Sequence, residues 1–465
     1  MVFSRTDGVT ARGAARRPAA VLLRPGDPAP DRYLITADRV WDGVAPEPVR
    51  DGFLLVEGAR IGAVGRQADL GGDLDTVPRL DLPGATVLPG LIDCHVHMAL
   101  SGSATPVRDF KREARAGAAA LAVRAVQNLR RAAEAGVTTV RDLGTPNEVA
   151  FPLRAAVAEG RIPGPRVLTS GQPITVTGGH CHWFSHQCDS PAEIRVAVRR
   201  QVRDGADWIK LMLSGGNLTP RTNPGRPQYS EEEVRACVEE SERLGVPVSA
   251  HAYDPVSIRR AVDAGVRTIE HCLFETADGI AYDPATAIQM AARGIAFVPT
   301  ISGAFLRMRT AGPEGPEGPD LVAPRFRERR TQIREVFRRM VAAGVPMVAG
   351  SDAGVPQRAF DGFPADLAAL VGPDGMGLTC RQALVAATSA AAERLGVDDT
   401  GVLAPGRRAD VLAVDGDPLS DIGAVVRPRL VLTAGRPVRG PESAPSPAAR
   451  GATDGRRRES DGSGT

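Results

Sequence analysis

Between residues 85 and 354 the chain repeats one alternation eight times, a short run rich in β-branched residues followed by a longer stretch of helical character. The runs are GATVLPGLIDCHVH, VTTVRDLG, PRVLTSG, DWIKLMLSG, PVSAH, VRTIEH, IAFVPT and PMVAGSDAG, separated by segments such as REARAGAAALAVRAVQNLRRAAEAG and SEEEVRACVEESERLG. Eight strand-like runs, each with a helix candidate behind it, predict an α/β fold, a (β/α)8 TIM barrel rather than an open doubly wound sheet. In AAEAGVTTV, DGADWIK, LGVPV, DAGVRTI, ARGIAFV and AAGVPMV a glycine stands between helix and next strand, as helix C-caps require.

The flanks read differently. Residues 31–84 and 400–438 alternate in short β-like runs split by Gly and Pro, and neither segment can close a good core alone. The two are expected to pair into one small β-sandwich domain, through which the chain enters and leaves a barrel spanning 85–399. Residues 1–30 and 439–465 are rich in Pro, Gly, Ser and Arg without hydrophobic period, and are expected to be disordered tails.

Charge says little about partners. Against 57 basic residues stand 55 acidic ones, a net charge of +2, which offers no field for nucleic acid or an anionic membrane. The N-terminus lacks the apolar core of a secretory signal and no stretch approaches a membrane span, so a cytoplasmic protein acting on a small-molecule substrate is expected. Six scattered cysteines are too few for a disulfide framework in 465 residues. The number of subunits is open, a homo-oligomer included.

Catalytic residues of such barrels come from the C-terminal ends of strands. His95, His97, Lys210, His251, His271 and Asp352 all end a strand-like run, in a chain with only seven histidines. In Asp93-Cys94-His95-Val96-His97, alternation puts both imidazoles on the interior face with Asp93 beneath them, a pair better suited to a metal than to core packing. His251 and His271, with Ser249 and Ile269 sharing their inward face, make a second candidate metal pair. Asp352, in VAGSDAG, can ligate a metal and also accept the proton of an attacking water.

Lys210 carries unusual weight, because it and Lys111 are the only lysines among those 57 basic residues. In DWIKLMLS, Ile209, Leu211 and Leu213 face outward, leaving Trp208, Lys210 and Met212 inward. An interior ion pair with Asp352 is one use for it, although arginine is this chain's habit. The other use is one arginine cannot serve: an unprotonated amine that adds CO2 to become a carbamate, whose two oxygens can bridge two metal ions.

PGLIDCHVH, the lysine in DWIKLMLSGG, HAYD, IEH and GSDAG resemble, in order and spacing, the metal-dependent amidohydrolase superfamily over roughly residues 32–437. ADWIKLMLSGG, QYSEEEVRACVEESERLGVPVSAHAYD and GSDAGVP are similar to its imidazolonepropionase-like branch, with prolidase-like enzymes, Xaa-Arg dipeptidases and ochratoxin-type amidases. The resemblance implies two Zn2+ ions, one held by His95, His97 and Asp352, the other by His251 and His271, with Lys210 as N6-carboxylysine linking them. It implies a dipeptidase or amidase in which a bridging hydroxide attacks the amide, Asp352 shuttles the proton, and His180 (TGGH) and Tyr229 (QYS) contact the substrate.

Two departures and two alternatives accompany it. Phe360-Asp361-Gly362 stands where the family commonly has His-Gly, so Asp361 takes the place of a histidine. The stretch 180–188, HCHWFSHQC, is rich in His and Cys, which leaves a substrate loop with incidental thiols and a separate structural zinc as its two readings. One alternative is a single-metal deaminase or cyclic amide hydrolase; deaminases of the superfamily usually place a glutamate where Asp254 stands in His251-Ala252-Tyr253-Asp254. A catalytically dead scaffold would usually lack ligands, whereas all six are present. Arg221, Arg226 and Arg358 lie near loops, as solvated charges or as partners of a substrate carboxylate.

Overall fold

The computed structural model describes residues 23–301 and 331–441, with the backbone alone at 314–315, 318–319 and 323–330. The expected tails at 1–22 and 442–465 lie outside the described residues. The inner parts of those tails are ordered against the protein: Leu23 is buried in a hydrophobic cluster, and Arg439 Nε donates to Pro428 O at 2.8 Å.

Strands from the two ends of the chain pair in one continuous hydrogen-bonded sheet. Its members are β1 (Arg32–Val40), β2 (Val49–Glu57), β3 (Arg60–Arg66) and β4 (Arg79–Pro89) from the N-terminal segment, with Val411–Asp415, Pro428–Thr433 and Arg436–Arg439 from the C-terminal one. The C-terminal strand Val411–Asp415 lies antiparallel on β4, with Leu412 opposite Leu88. Alternation decides which face each residue takes. Tyr33, Ile35 and Ala37 enter one cluster with Leu54, Val87, Val411 and Leu432, while Leu34 enters another with Phe53, Leu55 and Val77.

One glycine separates this sheet from the rest of the α/β fold. Strand β5 (Leu91–Val96) follows directly after Gly90, where a Cβ would come within 2.1 Å of the Thr138 side chain, so only glycine lets the chain pass from one sheet to the other here. Strands β5, β6 (Val137–Asp142) and β7 (Arg166–Thr169) are parallel neighbours. A second set contains β8 (Ile174–Thr175), β9 (His186–Gln187), β10 (Ile209–Met212), β11 (Val248–Ala252) and β12 (Thr268–His271). The short hairpin of β13 (Glu275–Thr276) and β14 (Gly279–Ile280) stands apart, and β15 (Ala296–Val298) completes the second set beside β12.

Hydrogen bonds join the two sets. Asp207 N, just before β10, donates to Thr169 O of β7 at 2.9 Å. The run 346–353 forms no regular ladder but bonds on both sides: Phe297 N to Pro346 O (3.0 Å), Cys94 N to Ala349 O (3.0 Å) and Asp352 N to His95 O (2.8 Å). Helices between the strands follow the sequence signals. Ser230 and Glu233 form a capping box at Glu231–Arg243, and Gly205 and Gly265 end Pro191–Asp204 and Pro255–Ala264 in the left-handed conformation. Trp208, expected to point inward, packs with Ile92, Cys94, Val298 and Val348 against Ala391 and Leu395 of helix Ser389–Leu395. Among the described residues no helix is long and apolar enough to cross a membrane.

Candidate metal centre

His95 and His97 reach the C-terminal end of β5 as buried side chains whose Nε2 atoms lie 3.4 Å apart. Asp352 Oδ1 stands 3.5 Å from His95 Nε2 and 3.3 Å from His97 Nε2. Among the described residues this is the one group of three such side chains whose ligand atoms all lie within 4.8 Å of one another. Asp352 Oδ1 is buried and has no hydrogen-bond partner among the described residues. A buried carboxylate oxygen without a donor is costly unless something else satisfies it, and two imidazole nitrogens beside it suit a metal ion.

His251 and His271 converge on the same place. Their ring centroids are 4.7 Å apart, and the His271 ring lies 5.3 Å from that of His95. In each of the four imidazoles one nitrogen is held: His95 Nδ1 by Glu270 Oε2 at 2.8 Å, His97 Nδ1 by Gly144 O at 3.4 Å, His251 Nε2 by Gly215 O at 3.0 Å, and His271 Nδ1 by Thr300 Oγ1 at 2.8 Å. Metal-ligating histidines are anchored through the second nitrogen in this way, which fixes tautomer and ring orientation. Burial pushes His95 down to about 4 and holds His251 and His271 well below the usual histidine range. Neutral imidazoles have a lone pair to donate. Burial opposes the charge on Asp352, but His95, His97 and Arg358 outweigh it and hold the carboxyl well below the usual range.

Lys210 lies on β10, fully buried, and its Nζ makes no hydrogen bond among the described residues. The ion pair with Asp352 that the sequence left open is not formed among the described residues. Burial lowers its pKa to about 8, against a weaker raising influence of Glu270. The amine is thus more often unprotonated near neutral pH than an ordinary lysine, as reaction with CO2 requires.

Local backbone departs from regular strand where the ligands sit. His271 has φ +68° and Asp352 φ +60°, left-handed values that cost a non-glycine residue about 1 kcal/mol. The turn at His271 overturns one expectation. Thr268 and Glu270, rather than Ile269, face the interior, where both hydrogen-bond with Arg141, while Ile269 packs in the large cluster with Ile258 and Val262. Asp93 is likewise not beneath the imidazoles. The pairing of β5 with β6 shifts register between Asp93 and Val96, and the Asp93 carboxylate accepts from His95 N, Ser351 N and Ser351 Oγ instead.

Of the two residues expected at the substrate, His180 is in the cluster and Tyr229 is not. The buried His180 ring stacks on His251 with centroids 4.6 Å apart, its Nδ1 without a hydrogen-bond partner. The Tyr229 hydroxyl donates to Cys188 O at 2.9 Å in the core. A different tyrosine takes part. Tyr253 stacks on His271 at 4.7 Å and 5°, and its hydroxyl forms no hydrogen bond among the described residues. It stands two positions after His251, so the alternation that links His95 to His97 was a signal that could have found it. Glu270 and Arg141 left no such signal.

The remaining candidates are placed elsewhere. Asp361 pairs with Arg131 at 2.9 Å. The histidines and cysteines of 180–188 form no metal-ligand group among the described residues, and all six cysteines are free thiols. Asp254 caps helix Pro255–Ala264 through Ser257 N. Arg358 is held by Thr300 O and Ser351 O at 2.6 and 2.7 Å, 3.8 Å from Asp352 Oδ2.

With this geometry in view, the sequence matches the model of the Amidohydrolase family over residues 86–438. Ochratoxinase of Aspergillus niger is 29% identical over 416 residues, covering 83% of this chain and 82% of that enzyme. Imidazolonepropionase of Paracoccus denitrificans is 27% identical over 420 residues, 82% of this chain and 92% of the relative. Among solved structures, a Xaa-Pro dipeptidase with methionine bound in its active site superposes with a TM-score of 0.75 at 29% identity, covering 88% of this chain and all 100% of that one.

Proposed function

Because this chain belongs to the Amidohydrolase family and acts hydrolytically on carbon–nitrogen bonds, we propose that it is a binuclear metal amidase cleaving a dipeptide or an N-acyl amino acid. The observation that carries this reading is the meeting of four anchored imidazoles with Asp352 Oδ1 and Lys210 Nζ, which have no hydrogen-bond partner among the described residues. The residues fit two ions. His95, His97 and Asp352 would hold one, His251 and His271 the other, and Lys210 as a carbamate would join them, with Zn2+ the ion suited to nitrogen and carboxylate donors. The hydrogen bonds linking each of the eight strand runs to the next, and the eighth back to the first, support a closed (β/α)8 barrel carrying the site.

Bound in such a site, divalent ions supply a hydroxide nucleophile near neutral pH and polarise the amide carbonyl. The chain's own residues do the rest. The Asp352 carboxylate would accept the proton of the attacking water and return it to the leaving amine, which requires a carboxylate ionised at neutral pH, as its neighbours make it. Tyr253, by its hydroxyl, and His180, by Nδ1, are free to hold the carbonyl or the carboxylate of the substrate. The likeness to a Xaa-Pro dipeptidase supports a substrate with a free carboxylate beside the amide.

The test is a screen of metal-stripped and zinc- and bicarbonate-reconstituted protein against Xaa-Pro, Xaa-Arg and Xaa-Lys dipeptides and N-acyl amino acids. Metal-dependent release of a free amino acid is expected. Ammonia release from ring substrates at one metal per chain, with no amide cleaved, would overturn the reading.

A further inference from the structure

Beneath the imidazoles lies a buried ion pair that the mechanism above does not use. Arg141, from β6, is 0% exposed and lies over the Trp208 ring, 4.4 Å from its centroid. Its Nε donates to Cys94 O at 2.7 Å, one NH2 group donates to Thr268 Oγ1 at 3.0 Å and the other to Glu270 Oε1 at 2.9 Å. Glu270 Oε1 also accepts from Ser249 Oγ at 2.8 Å and Thr268 Oγ1 at 2.7 Å. Its second oxygen, Oε2, faces His95 Nδ1 at 2.8 Å.

Two features make this more than core packing. Arg141 and Glu270 grip the residues immediately before two candidate ligands, Cys94 before His95 and Glu270 itself before His271. The four imidazoles are also supported unequally: His97 and His251 lean on backbone carbonyls and His271 on a hydroxyl, and only His95 leans on a carboxylate. An ionised carboxylate can only accept. His95 therefore carries its proton on Nδ1 and turns the Nε2 lone pair toward His97 and Asp352.

We infer that Arg141 and Glu270 are positioning residues which lock His95 in the Nδ1–H tautomer, so that the position held by His95, His97 and Asp352 binds its divalent ion more tightly than the one at His251 and His271. Arg141 holds Glu270 Oε1, which leaves Oε2 no alternative partner to His95. The carboxylate charge, relayed through the imidazole, makes Nε2 the more basic donor. The inference rests on the metal reading proposed above.

Glu270→Gln separates positioning from shape. The amide oxygen can replace Oε1 toward Arg141, Ser249 and Thr268, and the NH2 group then faces His95 Nδ1 as a donor. Nδ1 must accept, and the proton moves to Nε2. Metal-stripped wild-type and variant protein are titrated with Zn2+ against a chromophoric chelator, and 15N spectra of the histidine rings report the tautomer. We expect two ions in the wild type, the tighter one weakened about 10- to 100-fold in E270Q, with the His95 proton on Nε2. Ser249→Ala, which removes a donor to the same carboxylate without touching His95, should leave affinity within about threefold. Should E270Q not fold, Arg141→Lys must weaken the tighter ion in the same direction. Unchanged affinity in E270Q with only a lower melting temperature would make the pair structural and overturn the inference. Wild-type protein that takes up no divalent ion would instead overturn the metal reading itself.

Discussion

The ring of Tyr253 lies flat against that of His271, with centroids 4.7 Å apart and planes 5° from parallel. The stack holds the ring in place while its hydroxyl forms no hydrogen bond among the described residues. Tyr253→Phe keeps the stack and removes the hydroxyl. If that hydroxyl donates to the substrate as charge develops, kcat/KM falls roughly 100-fold, the cost of losing one such donor, with metal content unchanged. Steady-state kinetics with metal analysis checks this. Loss of metal together with rate would place the tyrosine in support of His271 instead.

Asp352→Asn keeps the size of a side chain that touches both His95 and His97 but removes its charge and its capacity to take a proton. Activity should fall at least about 1000-fold, within the range for losing a general base. Metal at the His95 and His97 position should weaken as well. Equilibrium dialysis separates the two effects.

Replacing Lys210 with Ala removes the one interior amine. Activity and at least one bound ion should be lost, and protein prepared without CO2 should show a milder form of the same defect that bicarbonate reverses. Full activity with two metals in the alanine variant would sink the carbamate.

A pH effect is expected away from the site. Glu240, on helix Glu231–Arg243, pairs with Arg199 of helix Pro191–Asp204 at 2.8 Å and with Arg243 on its own helix. Hydrogen bonds from Arg199 and Arg243 lower its pKa from 4.5 to about 2. A carboxyl depressed by folding stabilises above its unfolded pKa, and that stability is lost as pH falls through the folded one. Glu240→Gln should therefore cost up to about 1 kcal/mol at pH 7, the range of a solvent-screened ion pair. The gap to wild type should narrow between pH 4.5 and 2. Denaturant melts across that range test it, and a gap that does not change with pH would refute the assignment.

Most of the architecture was legible because it is written in periodicity. The eight runs of the sequence recur as the parallel strands and the bonded run 346–353, and the expected ligands fall at their ends because histidine and lysine are scarce here and stand where apolar runs stop. What alternation could not supply was the backbone irregularity at those same ends. Glu270 was hidden because the expectation of a regular strand through His271 put Ile269 on the inner face, whereas the positive φ of His271 gives that face to Glu270. The bulge after Asp93 misled in the same way. Tyr229 was named by motif likeness, and its position on the N-terminal side of a helix, with its hydroxyl on Cys188 O, is a tertiary fact with no local signature.

The seven-stranded sheet sets an order of events for a chain made from its N-terminus. Strands β1 to β4 are complete while the whole catalytic segment is still to come, and until Val411–Asp415 arrives β4 remains an open edge lined by Val87 and Leu88. Unpaired apolar edges of that kind invite pairing with other chains, so the nascent protein needs its last strands for protection as much as for stability. A chain ended at Gly401 should accumulate in the insoluble fraction, and adding residues 402–441 as a separate segment should return part of it to solution.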